Sequence, residues 1–177
     1  DAGGHTSAFL TNKNKLYTFG SSTNGTLGRR TQWASADISP IDLELVQGDN
    51  IKGFSVGDAH TLILTEYGHI YSFGLNLFGA LGLGHCKNRN QPNQIQPFCN
   101  EKIINVFAGD GASFFVTETG KIYACGNNFD GKLGFYYSGL HDFRDYTTPT
   151  LTPIKSKYNQ QLLQIATGAD HNLFLFA

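Results

Sequence analysis

The stretch Gly57-Asp-Ala-His-Thr-Leu-Ile-Leu-Thr-Glu-Tyr-Gly-His-Ile-Tyr-Ser-Phe-Gly-Leu-Asn-Leu-Phe-Gly-Ala-Leu-Gly82 decides how this chain folds, because the chain uses it repeatedly. A second copy runs from Gly3 to Gly28, a third from Gly109 to Gly134, and the first third of the pattern returns at residues 168–177. In every full copy the closing Gly follows the opening one by 25 residues. The opening glycines lie 54, 52 and 59 residues apart, a period in the range of propellers and solenoids. The variation sits after the closing Gly. From there to Pro40, Pro92 and Pro149 the chain takes 12, 10 and 15 residues, whereas the step from each proline to the next opening Gly takes 17, 17 and 19.

Short apolar runs bounded by turn residues predict strands within each unit. Residues 51–56, 103–108 and 162–167 precede the opening Gly and form a first strand, A. Residues 7–11, 61–65 and 113–117 form strand B, and 15–19, 69–73 and 121–125 form strand C. The B-to-C turns carry Asn14, Gly68 or Gly120 where a hairpin turn with a bulge needs positive φ. Proline suits an edge position, so residues 41–45, 93–96 and 150–154 are expected to supply strand D. Four antiparallel strands per unit, repeated, are the plan of a β-propeller blade. The chain is therefore expected to be all-β, a single array with repeats at about 1–50, 51–102 and 103–161 and the start of a fourth at about 162–177. Its first and last residues fall inside the pattern, as expected of a piece of a longer array.

Composition agrees. Of 177 residues, 21 are Gly, 22 are Phe or Tyr, none is Met and 15% are charged, a balance that favours turns and strands over surface helices. Thirteen basic against fourteen acidic residues, with no basic run longer than Arg29-Arg30, argue against direct nucleic-acid binding through phosphate neutralisation. Cys86, Cys99 and Cys125 are odd in number and lack C-x-x-C spacing, so neither a zinc site nor a redox pair is expected, and an intracellular compartment fits. Cys125 holds the slot of Phe19 and Phe73 and reads as a small buried hydrophobe. No apolar run has the length of a membrane span.

In an antiparallel A-B-C-D meander, the A-to-B and C-to-D connections share one end. Asp58 and His60 are thus expected beside the variable loop after Gly82, on the face where length variation is tolerated and partners bind.

The pattern G-x-x-H-[ST]-x-x-L-T followed by G-x-[IV]-Y-x-F-G-x-N-x-x-G-x-L-G resembles the repeat of the regulator of chromosome condensation family over essentially the whole chain. It is clearest at residues 57–82; Ala112 stands in the His slot of the third unit and Thr6 in that of the first. The resemblance implies a seven-bladed propeller, with the remaining blades supplied by the parent chain or another copy. It also implies a protein partner, because acidic and His residues of these loops face the small GTPase Ran in the family member that exchanges its guanine nucleotide. The matching positions are Asp58, His60, Asp110, Asp170 and His171. The same residue types also satisfy backbone groups in tight turns.

The longest insert adds Phe135, Tyr136, Tyr137, Phe143, Arg144 and Tyr146, aromatic and Arg anchors typical of protein interfaces or, equally, a cover for the neighbouring blade. Arg29, Arg30 and Trp33 in the first insert invite the same reading. No helix pattern follows the glycines to make a phosphate loop, and no nucleophile, base and acid share a supporting spacing. Neither a cofactor nor catalytic residues are expected. Function reads as an interaction module using one loop face, with guanine nucleotide exchange on a Ran-like GTPase as the alternative. Exchange needs no catalytic group, only a surface that prefers the nucleotide-free GTPase.

Overall fold

A computed structural model describes residues 1–30, 35–135, 146–152, 154, 162–168 and 171–177. Three four-stranded antiparallel sheets follow one another along the chain. The first holds β1 (Ala2–Gly3), β2 (Thr6–Leu10), β3 (Leu16–Gly20) and β4 (Ser35–Pro40). The second holds β5 (Ile51–Val56), β6 (His60–Thr65), β7 (Ile70–Gly74) and β8 (Arg89–Gln94). The third holds β9 (Ile103–Ala108), β10 (Ala112–Thr117), β11 (Ile122–Gly126) and β12 (Tyr146–Leu151). A two-stranded sheet of β13 (Leu162–Thr167) and β14 (Asn172–Phe176) begins a fourth unit. Each full sheet is an A-B-C-D meander, as the propeller plan requires.

Strands A, B and C fall where the sequence places them to within a residue or two, except that strand A of the first unit is only Ala2–Gly3. Strand D falls elsewhere. It was expected at 41–45, 93–96 and 150–154 and starts four to six residues earlier in each unit. Each of Pro40, Pro92 and Pro149 lies within the strand, on the sheet edge where a missing N–H costs no ladder bond. The hairpin turns bear out the turn chemistry: Asn14 has φ 58°, Gly68 89° and Gly120 82°. Thr11, Thr65 and Thr117 brace these turns by accepting the N–H of Lys15, His69 and Lys121 on Oγ1.

The cores lie between sheets rather than within them. Ala8 and Leu16 of the first sheet, with Ile41 just after β4, pack against Ile63, Tyr71 and Phe73 of the second. Leu62, Leu64 and Ile70 on the second sheet's other face meet Phe115 and Cys125 of the third. Phe114, Val116 and Ile122 meet Phe174, which stands edge-on to Phe114 at 5.6 Å. Cys125 is buried as its slot predicts, and burial pushes its thiol up, as an inert core cysteine should be. The end faces continue this register. Phe9, Tyr17 and Phe19 share the slots of Ile63, Tyr71 and Phe73, with Phe9 exposed, and exposed Leu173 and Leu175 share the slots of Leu62 and Leu64.

An asparagine locks the C-to-D loops of the second and third units. Buried Asn76 accepts the Leu81 N–H at 2.9 Å and donates to the carbonyls of His85 and Lys87; Asn128 accepts the Leu133 N–H at 3.1 Å. The first unit has Ser22 in this slot, too short to span the loop, and its buried hydroxyl has no partner among the described residues. Ser72 and Thr18 add a second tie, donating to the carbonyls of Leu81 and Leu27 at 2.8 and 2.7 Å.

Candidate functional site

The A-to-B loops share one construction. In the second, third and fourth units the opening Gly N–H donates to the carbonyl three residues on, Gly57 to His60, Gly109 to Ala112 and Gly168 to His171, each at 2.8 Å. The opening glycines are there for close approach between units. A Cβ on Gly3 would strike the carbonyl of Gly57, one on Gly57 would strike that of Gly109, and one on Gly109 would lie 2.6 Å from the Thr167 Cβ. The loops therefore converge, and the ends of strands A bound a concavity of about 560 Å3. Asp1, Asp58 and Asp110 line it. Asp58 and Asp110 are exposed, and the Asp58 N–H reaches the Gly109 carbonyl at 3.3 Å.

His60 behaves differently from Asp58 two residues away. It is 2% exposed, and its Nε2 lies 2.8 Å from the Ser113 Oγ of the next unit. Ser113 donates its one proton to the Ala80 carbonyl at 2.7 Å, so Nε2 is the donor to Ser113 and the imidazole is the neutral Nε2–H form. Burial alone lowers its pKa to about 4, consistent with that form. The chain runs His60, Ser113, Ala80 carbonyl, and ties the second unit to the third. As a partner-facing residue His60 has no accessible side chain; desolvating it would be costly without the Ser113 bond that occupies it.

The neighbouring junctions show what the latch replaces. Thr61 and Asn172 hold the slot of Ser113, and Asn172 repeats its role by donating to the Lys132 carbonyl at 2.8 Å. Yet the preceding His slots hold Thr6 and Ala112, which cannot deliver the ring N–H. The Thr61 Oγ1 and the Asn172 Oδ1 are buried without a hydrogen-bond partner among the described residues. Removing the orphan hydroxyl is therefore expected to help: Thr61→Val should leave stability unchanged or raise it by up to about 1 kcal/mol, measured by urea denaturation, because an isosteric apolar group removes an unpaired donor.

The remaining expected site residues separate. His171 is exposed in the His60 slot. Phe135 stacks on Tyr146 at 4.2 Å, and both pack on the apolar cluster of the third sheet, covering the blade. Tyr136, Tyr137, Phe143, Arg144 and Asp170, like Trp33, lie outside the described residues. Arg29 is spent within its own unit, donating from Nη2 to the carbonyls of Thr18 and Asp37 at 3.1 Å each.

Two carboxylates missed in the sequence hold the opposite end. Asp49 and Glu101 each precede strand A by two residues and pair with the residue just before strand C, His69 and Lys121. Burial raises the Asp49 carboxyl, but hydrogen bonds from Thr65, His69 and the N–H groups of Tyr67 and Asn50 outweigh it and hold the group below its ordinary range. Hydrogen bonds from Lys121, Thr119 and Thr117 bring Glu101 down to about 2. The signal was the equal spacing of acid and partner in two repeats. Both pairs brace hairpins, so the exposed acids of the loop end are left as the candidate contacts. Among the described residues, no three His, Cys, Asp or Glu side chains group as a metal site, and no helix is long and apolar enough to cross a membrane.

Sheets latched side by side around converging glycines, with one loop end left open, define a β-propeller repeat protein. The Regulator of chromosome condensation (RCC1) repeat matches residues 13–64, 67–116 and 119–175, and the chain belongs to that family. It is 32% identical over 169 residues to the serine/threonine-protein kinase Nek9 of Xenopus laevis, covering 92% of this chain and 18% of that protein. It is 38% identical over 129 residues to the human X-linked retinitis pigmentosa GTPase regulator, covering 72% of this chain and 12% of that one. The chain thus spans under a fifth of either relative. Yeast RCC1 (Prp20), solved bound to Kap60, superposes with a TM-score of 0.79 at 21% identity over 98% of this chain and 40% of its own. A second structure of Prp20p from Saccharomyces cerevisiae, described together with its binding to Gsp1p and histones, gives 0.81 at 21% over 98% and 41%.

Proposed function

We propose that this chain is the interaction segment of a propeller protein and binds a protein partner through its A-to-B and C-to-D loop end. The observation that carries this is the division of labour inside one loop. Gly57 and His60 are consumed by blade packing, while Asp58 and its counterpart Asp110 stay exposed on a shared concavity. Two exposed carboxylates on a rigid rim suit a basic partner surface and govern encounter more than affinity. Further blades, from the same parent chain or another copy, would cover the end faces at Phe9 and at Leu173 and Leu175 in the register seen inside the chain.

Prp20p binds Gsp1p, and that supports a narrower reading in which the partner is a Ran-like GTPase and the parent protein promotes nucleotide exchange. Affinity purification with wild-type chain and with the Asp58→Ala, Asp110→Ala double variant, quantified by mass spectrometry, tests the face. Partners recovered by the wild type are expected to fall at least fivefold with the variant; an unchanged set contradicts the choice of face. Release of labelled GDP from purified Ran by the parent protein tests exchange separately, and no acceleration excludes it.

A further inference from the structure

A cleft of about 450 Å3 runs along the outer rim between strand D of the second unit and strand D of the third. Leu83, Pro97, Phe98 and Pro149 supply its apolar lining, Asn93 and Gln94 offer amides along the wall, and His85 and Arg89 stand at its loop end. Its existence follows from one side chain. The residue after each Leu-Gly is Arg29, Leu83 or Phe135. Arg29 reaches across its own sheet to two carbonyls and Phe135 stacks on Tyr146, whereas Leu83 is shorter than either and leaves the space open.

The polar end of the cleft is short of an acceptor. The Lys87 N–H donates to the His85 Nδ1 at 3.2 Å, and Asn76 Nδ2 also faces it at 3.3 Å. A neutral imidazole that accepts at Nδ1 carries its proton on Nε2. Yet the Arg89 Nη2, which can only donate, faces Nε2 at 2.7 Å, so donors meet both ring nitrogens while a neutral imidazole can accept at only one. Among the described residues no carboxylate lies within ion-pair distance of Arg89. An oxyanion set beside the pair would supply the missing acceptor, taking the guanidinium's N–H groups and the imidazole N–H that Nε2 carries once it is relieved of accepting from Arg89.

We propose that this cleft is a second docking site, independent of the loop-end face, for an extended peptide of a partner protein. The peptide would place a bulky apolar side chain against Leu83, Phe98 and Pro149 and an Asp or Glu one to three residues away on Arg89 and His85. Its backbone would pair with Asn93 and Gln94.

The test is a cellulose-bound array of hexapeptides in which a Phe or Leu is followed after one to three residues by Asp, with a matched set carrying Lys at the same place. Fluorescently labelled chain is expected to bind the Asp set at least fivefold more strongly than the Lys set. Arg89→Ala, at a half-buried position on the rim of the cleft, should abolish that preference, and Leu83→Phe should fill the cleft and remove binding to both. Equal binding to the two sets, no binding above background, or binding of the Asp set unaffected by Arg89→Ala overturns the proposal. An unaltered near-ultraviolet circular dichroism spectrum for Arg89→Ala confirms that its loss of binding is local.

Discussion

Gly57→Val is expected to destabilise the chain by about 3 kcal/mol or more, with the fold lost in mild denaturant. The clash would be with the Gly109 carbonyl of the next unit, a backbone atom held by its own hydrogen bonds, so it cannot rotate away as a side chain could. Overpacking a yielding core costs about 1 to 3 kcal/mol; a rigid neighbour puts the cost at the upper end or beyond. Gly53 is the control. It lies on β5 with open space where its Cβ would be, and a β-branched residue suits a strand. Gly53→Val should be neutral within about 0.5 kcal/mol in the same urea titration. If both variants melt alike, strand propensity rather than close approach between units explains the opening glycines.

His60→Ala is expected to cost about 2 to 3 kcal/mol, from the cavity left by a buried ring and the loss of the donor to Ser113. The same residue gives stability a pH dependence with a defined sign. Unfolded, the imidazole titrates near 6.5; folded, burial lowers it to about 4. Between those values the unfolded chain binds the extra proton. The stabilisation is complete above about pH 6.5 and is lost as pH falls toward 4. His60→Gln, with an amide in place of the ring, should show a flatter profile over that window in urea titrations at stepped pH. A profile as steep as that of the wild type would assign the dependence to other groups.

The repeat arithmetic made strands A, B and C legible because alternation and turn chemistry are local, and Asn14, Gly68 and Gly120 took the positive φ their places demanded. Strand D was misplaced because its pairing partner, not its own propensity, sets its start: Gly20, Gly74 and Gly126 pair with Ser35, Arg89 and Tyr146 ahead of the prolines. The site was less legible for a related reason. In one repeat, Gly57 and His60 look like loop chemistry; what decides their roles is an atom some fifty residues away, the Gly109 carbonyl for one and the Ser113 hydroxyl for the other. The pairing of the His slot in one unit with the Ser slot in the next was present in the sequence, but only once, since Thr6 and Ala112 break it elsewhere. Asn76 stood in the quoted pattern without a role, and its three loop bonds appear only when the C-to-D loop closes around it.

Thermal unfolding at pH 7 of His60→Ala beside the Asp58→Ala, Asp110→Ala double variant tests most directly whether one loop divides between packing and recognition. A loss of 2 to 3 kcal/mol in a domain of this size corresponds to a fall in Tm of about 4 to 12 °C, expected for His60→Ala. The double variant, which removes two exposed carboxylates, should melt within about 2 °C of the wild type. Equal melting of His60→Ala and wild type, or a double variant as unstable as His60→Ala, would contradict that division.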